Sequence, residues 1–274
     1  MKKEVLYHKL SEAILNRTAV SLVTFTEAVP ELIGKRILLL PETAYGENGV
    51  AGDLTSAISE FCSSSFSEQH TSSLDFHWQN NRYRIFHEAF PPPPHLIIAG
   101  AGHVGEPVAH LGKMLGFSVT VVDDRSSFAN KERFSCADEV CCQSFHSYFQ
   151  TVPLKTSTYI LLLTRGHQFD VLSLQQLLSR EERPAYIGMI GSRRRIAGVF
   201  EQLRHDFPEE TFTHIHTPVG LDIGAETPAE IAVSIFAEIL AVKNKKNGEP
   251  LSSHIRELAK KGFRKGQKRC GNRK

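Results

Sequence analysis

Three glycines at the spacing of a phosphate-binding turn offer the clearest chemistry in this sequence. Gly100, Gly102 and Gly105 form a Gly-x-Gly-x-x-Gly pattern that follows an apolar run and precedes a helical pattern. The first glycine permits a tight turn, the second lets a phosphate approach the backbone, and the third lets helix and strand pack closely. Free N–H groups at the start of the following helix attract an anion. The pattern therefore predicts a nucleotide-type phosphate site.

Two acidic residues stand where such a fold holds a ribose. Asp123 and Asp124 lie at the end of the next apolar run, 23 and 24 residues after Gly100. A carboxylate at this position accepts hydrogen bonds from ribose hydroxyls. Because it would repel a ribose 2′-phosphate, Asp123 favours an NAD-like ligand over an NADP-like one.

Three further segments place polar and basic residues directly after apolar runs. In an open parallel sheet such carboxyl-end loops line one crevice, where ligands bind. Arg193–Arg195 stand at a predicted helix start, where cations oppose the helix dipole by roughly 0.3–1 kcal/mol each and a bound anion offsets the repulsion. The candidate cofactor-binding residues of these segments are Arg165, His167, Gly191, Ser192, Arg193, Arg194, Gly220 and Asp222.

Histidine and cysteine side chains offer weaker candidates for chemistry. His103, inside the glycine turn, is a candidate cofactor-binding residue, and both His103 and His167 are of a type that serves acid–base reactions. The neighbours Cys141 and Cys142 could handle sulfur or a soft metal, although flanking apolar residues favour a packing role. No residue is assigned as a catalytic group or as a metal ligand.

The elements that must position these residues alternate between strand and helix patterns. Such alternation is typical of a parallel sheet with helices on both faces. Thr227, Pro228 and Glu230 carry the signature of a capping box at the start of the last helix. The predicted strands are His95–Ala99, Ser118–Val122, Asp138–Cys142, Thr158–Leu163, Ala185–Ile190 and Thr213–Ile215, and the predicted helices are Val104–Leu115, Val171–Arg180, Arg193–Phe207 and Pro228–Lys243.

A run of four prolines, residues 91–94, divides the chain. Residues 95–243 are predicted to form a Rossmann-like parallel-sheet domain, and residues 1–90 a smaller N-terminal α/β or α+β domain. In the smaller domain we expect helices at Leu6–Leu15 and Asp53–Phe61, strands at Ala19–Phe25, Arg36–Leu40 and Tyr83–Ala89, and loops at 63–65 and 79–81.

Composition and charge exclude several classes of protein. No apolar run approaches the roughly 20 residues of a membrane span, and no export signal follows Met1, so we expect a cytoplasmic protein. The odd number of cysteines (five) favours a reduced chain over a disulfide scaffold. Residues 241–274 hold 12 Lys/Arg and 2 Asp/Glu. The formal net charge of +2 is therefore the sum of a basic C-terminal tail, residues 244–274, and an acidic remainder of the chain. No motif indicates nucleic-acid binding.

Four segments together resemble the XdhC/CoxI family of accessory proteins of xanthine dehydrogenase and related molybdenum hydroxylases. They are residues 96–105, 121–125, 186–194 and 218–232. Gly49–Leu54 stands roughly where the family has a glycine-rich segment, here with fewer glycines and without cysteine.

The resemblance implies a maturation chaperone, more an accessory factor than an enzyme in its own right. Such a protein binds molybdenum cofactor transiently, supports its sulfuration by a cysteine desulfurase, and inserts it into the apo-xanthine dehydrogenase or a related molybdenum hydroxylase of purine catabolism. A homodimer is compatible with the sequence, which contains nothing that proves one.

Two other functions fit the residues. An NAD-dependent oxidoreductase fits the glycine turn and Asp123 directly, although little sequence remains for a separate catalytic domain. An NAD-binding redox sensor would use the same turn without turnover. NAD is therefore the alternative ligand.

Overall fold

The chain folds into two compact units, one ending at Pro93 and one beginning at Pro94. The computed structural model describes residues 1–63 and 71–252. The loop predicted at 63–65 therefore lies mostly outside the described residues, as do Cys270 and the basic tail from residue 253 onward. No described helix has both the length and the apolar composition needed to cross a membrane.

The first unit is an antiparallel sheet of five strands in the order β3-β2-β1-β5-β4. Among the described residues, one helix covers each face of this sheet. Its elements are α1 (Lys3–Leu15), β1 (Val20–Glu27), β2 (Arg36–Leu39), β3 (Ala44–Gly46), α2 (Gly52–Cys62), β4 (Thr71–Trp78) and β5 (Asn81–Phe90).

Strand β1 shows why both faces are covered. Val20 and Leu22 pack into the apolar cluster beneath α1, whereas Val23 and Phe25 pack into the cluster beneath α2. Side chains of a strand alternate between the two faces of the sheet, so an apolar strand needs a cover on each side.

The β4–β5 hairpin was predicted only in part. The loop expected at 79–81 is confirmed as a two-residue turn at Gln79 and Asn80, whose φ angles of 46° and 62° suit a tight hairpin. Strand β4 was not predicted, because its segment Thr-Ser-Ser-Leu-Asp-Phe-His-Trp is mostly polar and largely exposed.

The second unit is a parallel sheet of six strands in the order β11-β10-β9-β6-β7-β8. Its elements are β6 (His95–Ala99), α3 (Gly105–Met114), β7 (Ser118–Asp123), β8 (Glu139–Cys142), α4 (Phe145–Thr151), β9 (Thr158–Leu162), α5 (His167–Leu178), β10 (Tyr186–Met189), α6 (Arg193–Asp206), β11 (Ile215–His216) and α7 (Pro228–Lys243).

This strand order confirms the predicted α/β class with a Rossmann-like sheet. Counted along the chain from β6, the strands lie in the order 3-2-1-4-5-6 of dinucleotide-binding folds. The direction of winding reverses between β6 and β9, and ligands of such sheets bind in the crevice at this switch point. A ligand is therefore expected at the carboxyl ends of β6 and β9.

Two apolar clusters hold the sheet between its helices. Ile97 and Ile160 belong to the cluster that includes residues of α4, α5 and α6. Leu96, Ile98 and Leu161 belong to the cluster that includes residues of α3 and α7. Both faces of the central strands are thereby buried, which explains their continuous apolar sequences.

In the second unit, the largest differences from the sequence prediction concern α4, α5 and the last strand. Helix α4 was not predicted, although Ser144 caps it by accepting a hydrogen bond from the Ser147 N–H at 3.2 Å. Helix α5 begins at His167, four residues before the predicted start, and the last strand is Ile215–His216. The predicted capping box at Thr227 is present.

Two helical glycines provide a test of this packing. Gly198 in α6 has open space where a β-carbon would stand, whereas a β-carbon at Gly112 in α3 would lie 2.9 Å from Leu96 Cδ2. We expect Gly198→Ala to raise the free energy of unfolding by about 0.5–1 kcal/mol and Gly112→Ala to lower it by about 1–3 kcal/mol. Urea unfolding followed by far-ultraviolet circular dichroism measures both, and a stabilising Gly112→Ala would contradict the packing described.

Candidate anion-binding site

The glycine turn connects β6 to α3, and its three glycines meet different constraints. Gly100 has a φ of +125°, and a β-carbon there would lie 2.3 Å from the carbonyl oxygen of Leu163. A β-carbon on Gly105 would lie 2.4 Å from the carbonyl oxygen of Gly100. At Gly102 no described atom other than those of the glycine and its two chain neighbours lies within 4 Å of that position. The turn is therefore tight at both ends and open to a ligand at Gly102.

The start of α3 presents unpaired backbone donors beside this opening. Among the residues that the structure describes, no side chain caps this helix. Within the described parts of the chain, no acceptor is bonded to the N–H groups of Gly102, His103 and Val104. Open N–H groups and the positive end of a helix dipole together stabilise an anion.

A cleft of about 470 Å³ opens at the carboxyl ends of β6, β9 and β10. Its walls come from the glycine turn, from the residues that follow β9, and from the start of α6. A volume of this size accommodates a small organic ligand. The lining residues are Gly102, His103, Val104, Gly105, Leu163, Thr164, Ile190, Gly191, Ser192 and Arg195.

Arg195 carries a fixed positive charge in the cleft wall. Its Nε and Nη2 donate to Oδ2 of the buried Asp170 at 2.9 and 2.5 Å, and Nη2 also donates to the carbonyl oxygen of Thr164 at 3.1 Å. Burial raises the pKa of Asp170, while Thr164 and Arg195 act in the opposite direction. Among the described residues Nη1 of Arg195 has no acceptor, so this edge of the guanidinium is available to an anion.

Asp123 lies beside the glycine turn and is only 1% exposed. Its Oδ2 accepts the Ala101 N–H at 2.9 Å and Arg125 Nη2 at 2.9 Å, and its Oδ1 accepts the N–H and Nε of Arg125 at 3.1 and 2.8 Å. Burial alone would raise the pKa of Asp123, but these hydrogen bonds hold it below its ordinary value. The predicted contact with ribose hydroxyls would require one of these bonds to break.

Asp124 and Arg165, also predicted as ligand contacts, bind each other. Arg165 donates from Nη1 and Nη2 to the two carboxylate oxygens at 2.6 and 2.9 Å. Its guanidinium also lies 4.0 Å from the centre of the Phe169 ring. The pair joins the loop after β7 to the loop after β9.

Comparison with known proteins identifies the second unit. The family model described as the XdhC Rossmann domain matches residues 96–239, more than half of the chain. The chain belongs to the XdhC family. The family resemblance of the four segments is thereby confirmed.

Two curated proteins and one solved structure are similar to this XdhC protein. The uncharacterized protein YqeB of Escherichia coli is 36% identical over 57% of this chain and 28% of its own length. A probable xanthine dehydrogenase subunit of Bacillus subtilis is 34% identical over 59% of this chain and 46% of its own length. The chain thus spans less than half of either relative. A xanthine dehydrogenase structure from Bacillus halodurans shares the fold, with a TM-score of 0.66, 24% identity, and coverage of 86% of this chain and 66% of the other.

The remaining predicted site residues of this XdhC protein fall into two groups. His103, Gly191 and Ser192 line the cleft together with Gly102 and Gly105. The others are not among the lining residues: His167, Arg193, Arg194 and Asp222 are exposed, and Gly220 donates its N–H to Glu238 at 3.0 Å. Arg193 and Arg194 have no ion-pair partner among the described residues.

Thr164, which lines the cleft, and Asp170, which holds Arg195 in the cleft wall, were not assigned from the sequence, whereas Arg195 was predicted with Arg193 and Arg194 at a helix start that a bound anion would stabilise. Each lies in a strand-end segment that the sequence marks as unusual, but nothing in the spacing pairs Asp170 with Arg195. The Thr164 hydroxyl donates to Asp170 Oδ1 at 2.6 Å and completes this buried network. The one sequence signal that could have predicted this pair is a carboxylate and an arginine that each follow one of two neighbouring apolar runs.

The cysteine pair at the end of β8 lies outside the cleft lining. Burial, followed by the charge of Glu139, raises the pKa of Cys141 to about 11, so this thiol stays protonated at neutral pH. Cys142 is exposed. The described residues contain no group of three or more His, Cys, Asp or Glu side chains that could hold a metal ion.

The lowered pKa of Asp123 leads to a pH-dependent prediction. A carboxylate whose pKa is lower in the folded state stabilises the fold above its unfolded pKa of about 3.9, and that contribution is lost as the pH falls through the folded value. We expect Asp123→Asn to be less stable than the parent protein at pH 7, with the difference shrinking as the pH falls below about 4. Urea midpoints at several pH values measure this. Glu201→Gln, on an exposed position of α6, is the control and should follow the parent. A pH-independent difference for Asp123→Asn would contradict an ionised Asp123.

Proposed function

We propose that this protein is an accessory protein of a xanthine dehydrogenase-type molybdenum hydroxylase and that its cleft binds molybdenum cofactor as cargo. The B. subtilis relative and the B. halodurans structure bear the name xanthine dehydrogenase, which supports an association with that class of enzyme. The recipient is then an apo-xanthine dehydrogenase or a related molybdenum hydroxylase.

The observation that carries the proposal is that the open backbone at Gly102 and the free edge of Arg195 line the same cleft. Molybdenum cofactor is a pterin that bears a phosphate, so it needs an anion site of this kind. The N–H groups of Gly102, His103 and Val104 would donate to the phosphate oxygens, and Arg195 Nη1 would add a charge-assisted bond. Arg193 and Arg194 add positive charge near the start of α6.

A binding site of this form suits transient loading. The phosphate would be held by hydrogen bonds and charge rather than by a covalent or metal bond, so the cofactor can leave again. A cysteine desulfurase would supply sulfur to the cofactor while it is held, and the sulfurated cofactor would pass to the apoenzyme. A homodimer would present two such clefts.

An NAD-binding protein, either an oxidoreductase or a redox sensor, is the second candidate function. The Rossmann strand order and the glycine turn favour it. The engagement of Asp123 and Asp124 by arginines weighs against it, because these carboxylates would have to contact the ribose.

Gly102→Ala tests the proposed phosphate position. The added methyl group has room in the folded protein, yet it occupies the space through which a phosphate would approach the backbone. We expect the substitution to weaken binding of molybdenum cofactor at least about tenfold, which corresponds to about 1.4 kcal/mol. Equilibrium titration of the purified protein with cofactor released from a molybdenum enzyme measures the dissociation constant.

Gly198→Ala is the matched control, because it adds the same methyl group in open space on α6. It should bind the cofactor as the parent protein does. Equal affinities of Gly102→Ala and the parent would contradict the phosphate position. A parent protein that does not bind the cofactor at all would overturn the proposed function.

A further inference from the structure

The cleft is open on one side of the glycine turn and closed on the other. Its lining comes from the residues that follow β6, β9 and β10. On the side of β7 stand the pairs Asp123–Arg125 and Asp124–Arg165. In dinucleotide-binding folds the carboxylate at the end of this strand accepts the ribose hydroxyls, so this is the side on which the adenosine half of NAD would lie.

Asp123 has no capacity left for a ribose. A carboxylate offers about four acceptor positions on its two oxygens. The Ala101 N–H occupies one position, and the backbone N–H, Nε and Nη2 of Arg125 occupy three. A ribose hydroxyl could bind only by displacing a guanidinium. The Arg125 guanidinium carries a positive charge and donates two parallel bonds to the two carboxylate oxygens, whereas a ribose hydroxyl is neutral, so the guanidinium prevails.

Asp124 is engaged in the same way. Its two oxygens accept two parallel hydrogen bonds from Arg165, the bidentate geometry that makes such pairs strong. The Arg165 guanidinium is stacked on Phe169, which limits its freedom to turn away. Because Asp124 follows β7 and Arg165 follows β9, the pair bridges the two loops that would have to part around an adenosine.

The loop after β7 is also bonded to the glycine turn. The guanidinium of Arg125 lies 3.7 Å from the centre of the Phe128 ring, and that of Arg133 lies 5.0 Å from it. Arg133 donates to the Ala101 carbonyl oxygen at 3.1 Å, so side chains bind both the N–H and the C=O of Ala101. Opening the adenosine side would disturb the turn itself.

We propose that Arg125 and Arg165 determine specificity by closing the adenosine side of the cleft, so that the site accepts a phosphate-bearing ligand and excludes NAD-type dinucleotides. The inference deepens the proposed function and rests on its assignment of the cleft to a phosphate. It assigns Asp123 and Asp124 to holding these arginines rather than to contacting a ligand.

The double substitution Arg125→Ala/Arg165→Ala tests this role with NADH as the probe. Removing two cations would weaken the binding of a dinucleotide if the arginines acted only by charge, whereas removing two side chains that block the site would strengthen it. We expect the double variant to bind NADH at least about tenfold more tightly than the parent, because two carboxylates become free for the ribose. Isothermal titration calorimetry measures both dissociation constants.

Lys155→Ala/Arg204→Ala is the matched control, because it removes the same charge from exposed positions of the second unit that do not line the cleft. It should gain no affinity for NADH.

A second variant covers the case in which the alanine variant does not fold. Arg125→Lys/Arg165→Lys keeps the charge, loses the bidentate geometry, and should also gain affinity for NADH. Micromolar NADH binding by the parent, or no gain in the folded variant, would overturn the proposal. The two proposals can fail separately. If the parent protein binds neither NADH nor molybdenum cofactor but the double variant gains affinity for NADH, the proposed function is wrong and the role of the two arginines is supported.

Discussion

The carboxylate of Asp123 is the group on which the rest of the candidate site depends. It lies buried between the glycine turn and the loop after β7, and it bonds to the Ala101 N–H on one side and to Arg125 on the other. An unpaired charge at this depth would be costly, and the bonds from Arg125 and the Ala101 N–H offset that cost. The same pairing fixes the turn from which Gly102 faces the cleft.

The parallel sheet places the glycine turn, which Asp123 holds, beside the other segments that form the cleft. Because β6 and β9 are neighbours at the point where the winding reverses, the turn after one strand lies beside the residues after the other. The two segments are so close that a β-carbon on Gly100 would collide with the carbonyl oxygen of Leu163. Arg195, held by the buried Asp170, then supplies charge from the start of α6.

Local patterns predicted the elements of the second unit well, whereas long-range pairing was not predictable from them. Apolar runs and the glycine spacing located β6, β7, β9 and the turn, since these depend on neighbouring residues alone. Asp124 and Arg165 are 41 residues apart, and only the folded sheet brings them together. Strand β4 was missed for a related reason: its polar sequence becomes a strand by pairing with β5.

A crystal structure of the protein with bound molybdenum cofactor would test the proposed phosphate site most directly. We predict that the cofactor phosphate contacts the N–H groups at Gly102 and Nη1 of Arg195, while Arg125 stays bonded to Asp123. A phosphate bound away from the glycine turn, or a ligand that displaces Arg125 and contacts Asp123, would contradict this prediction.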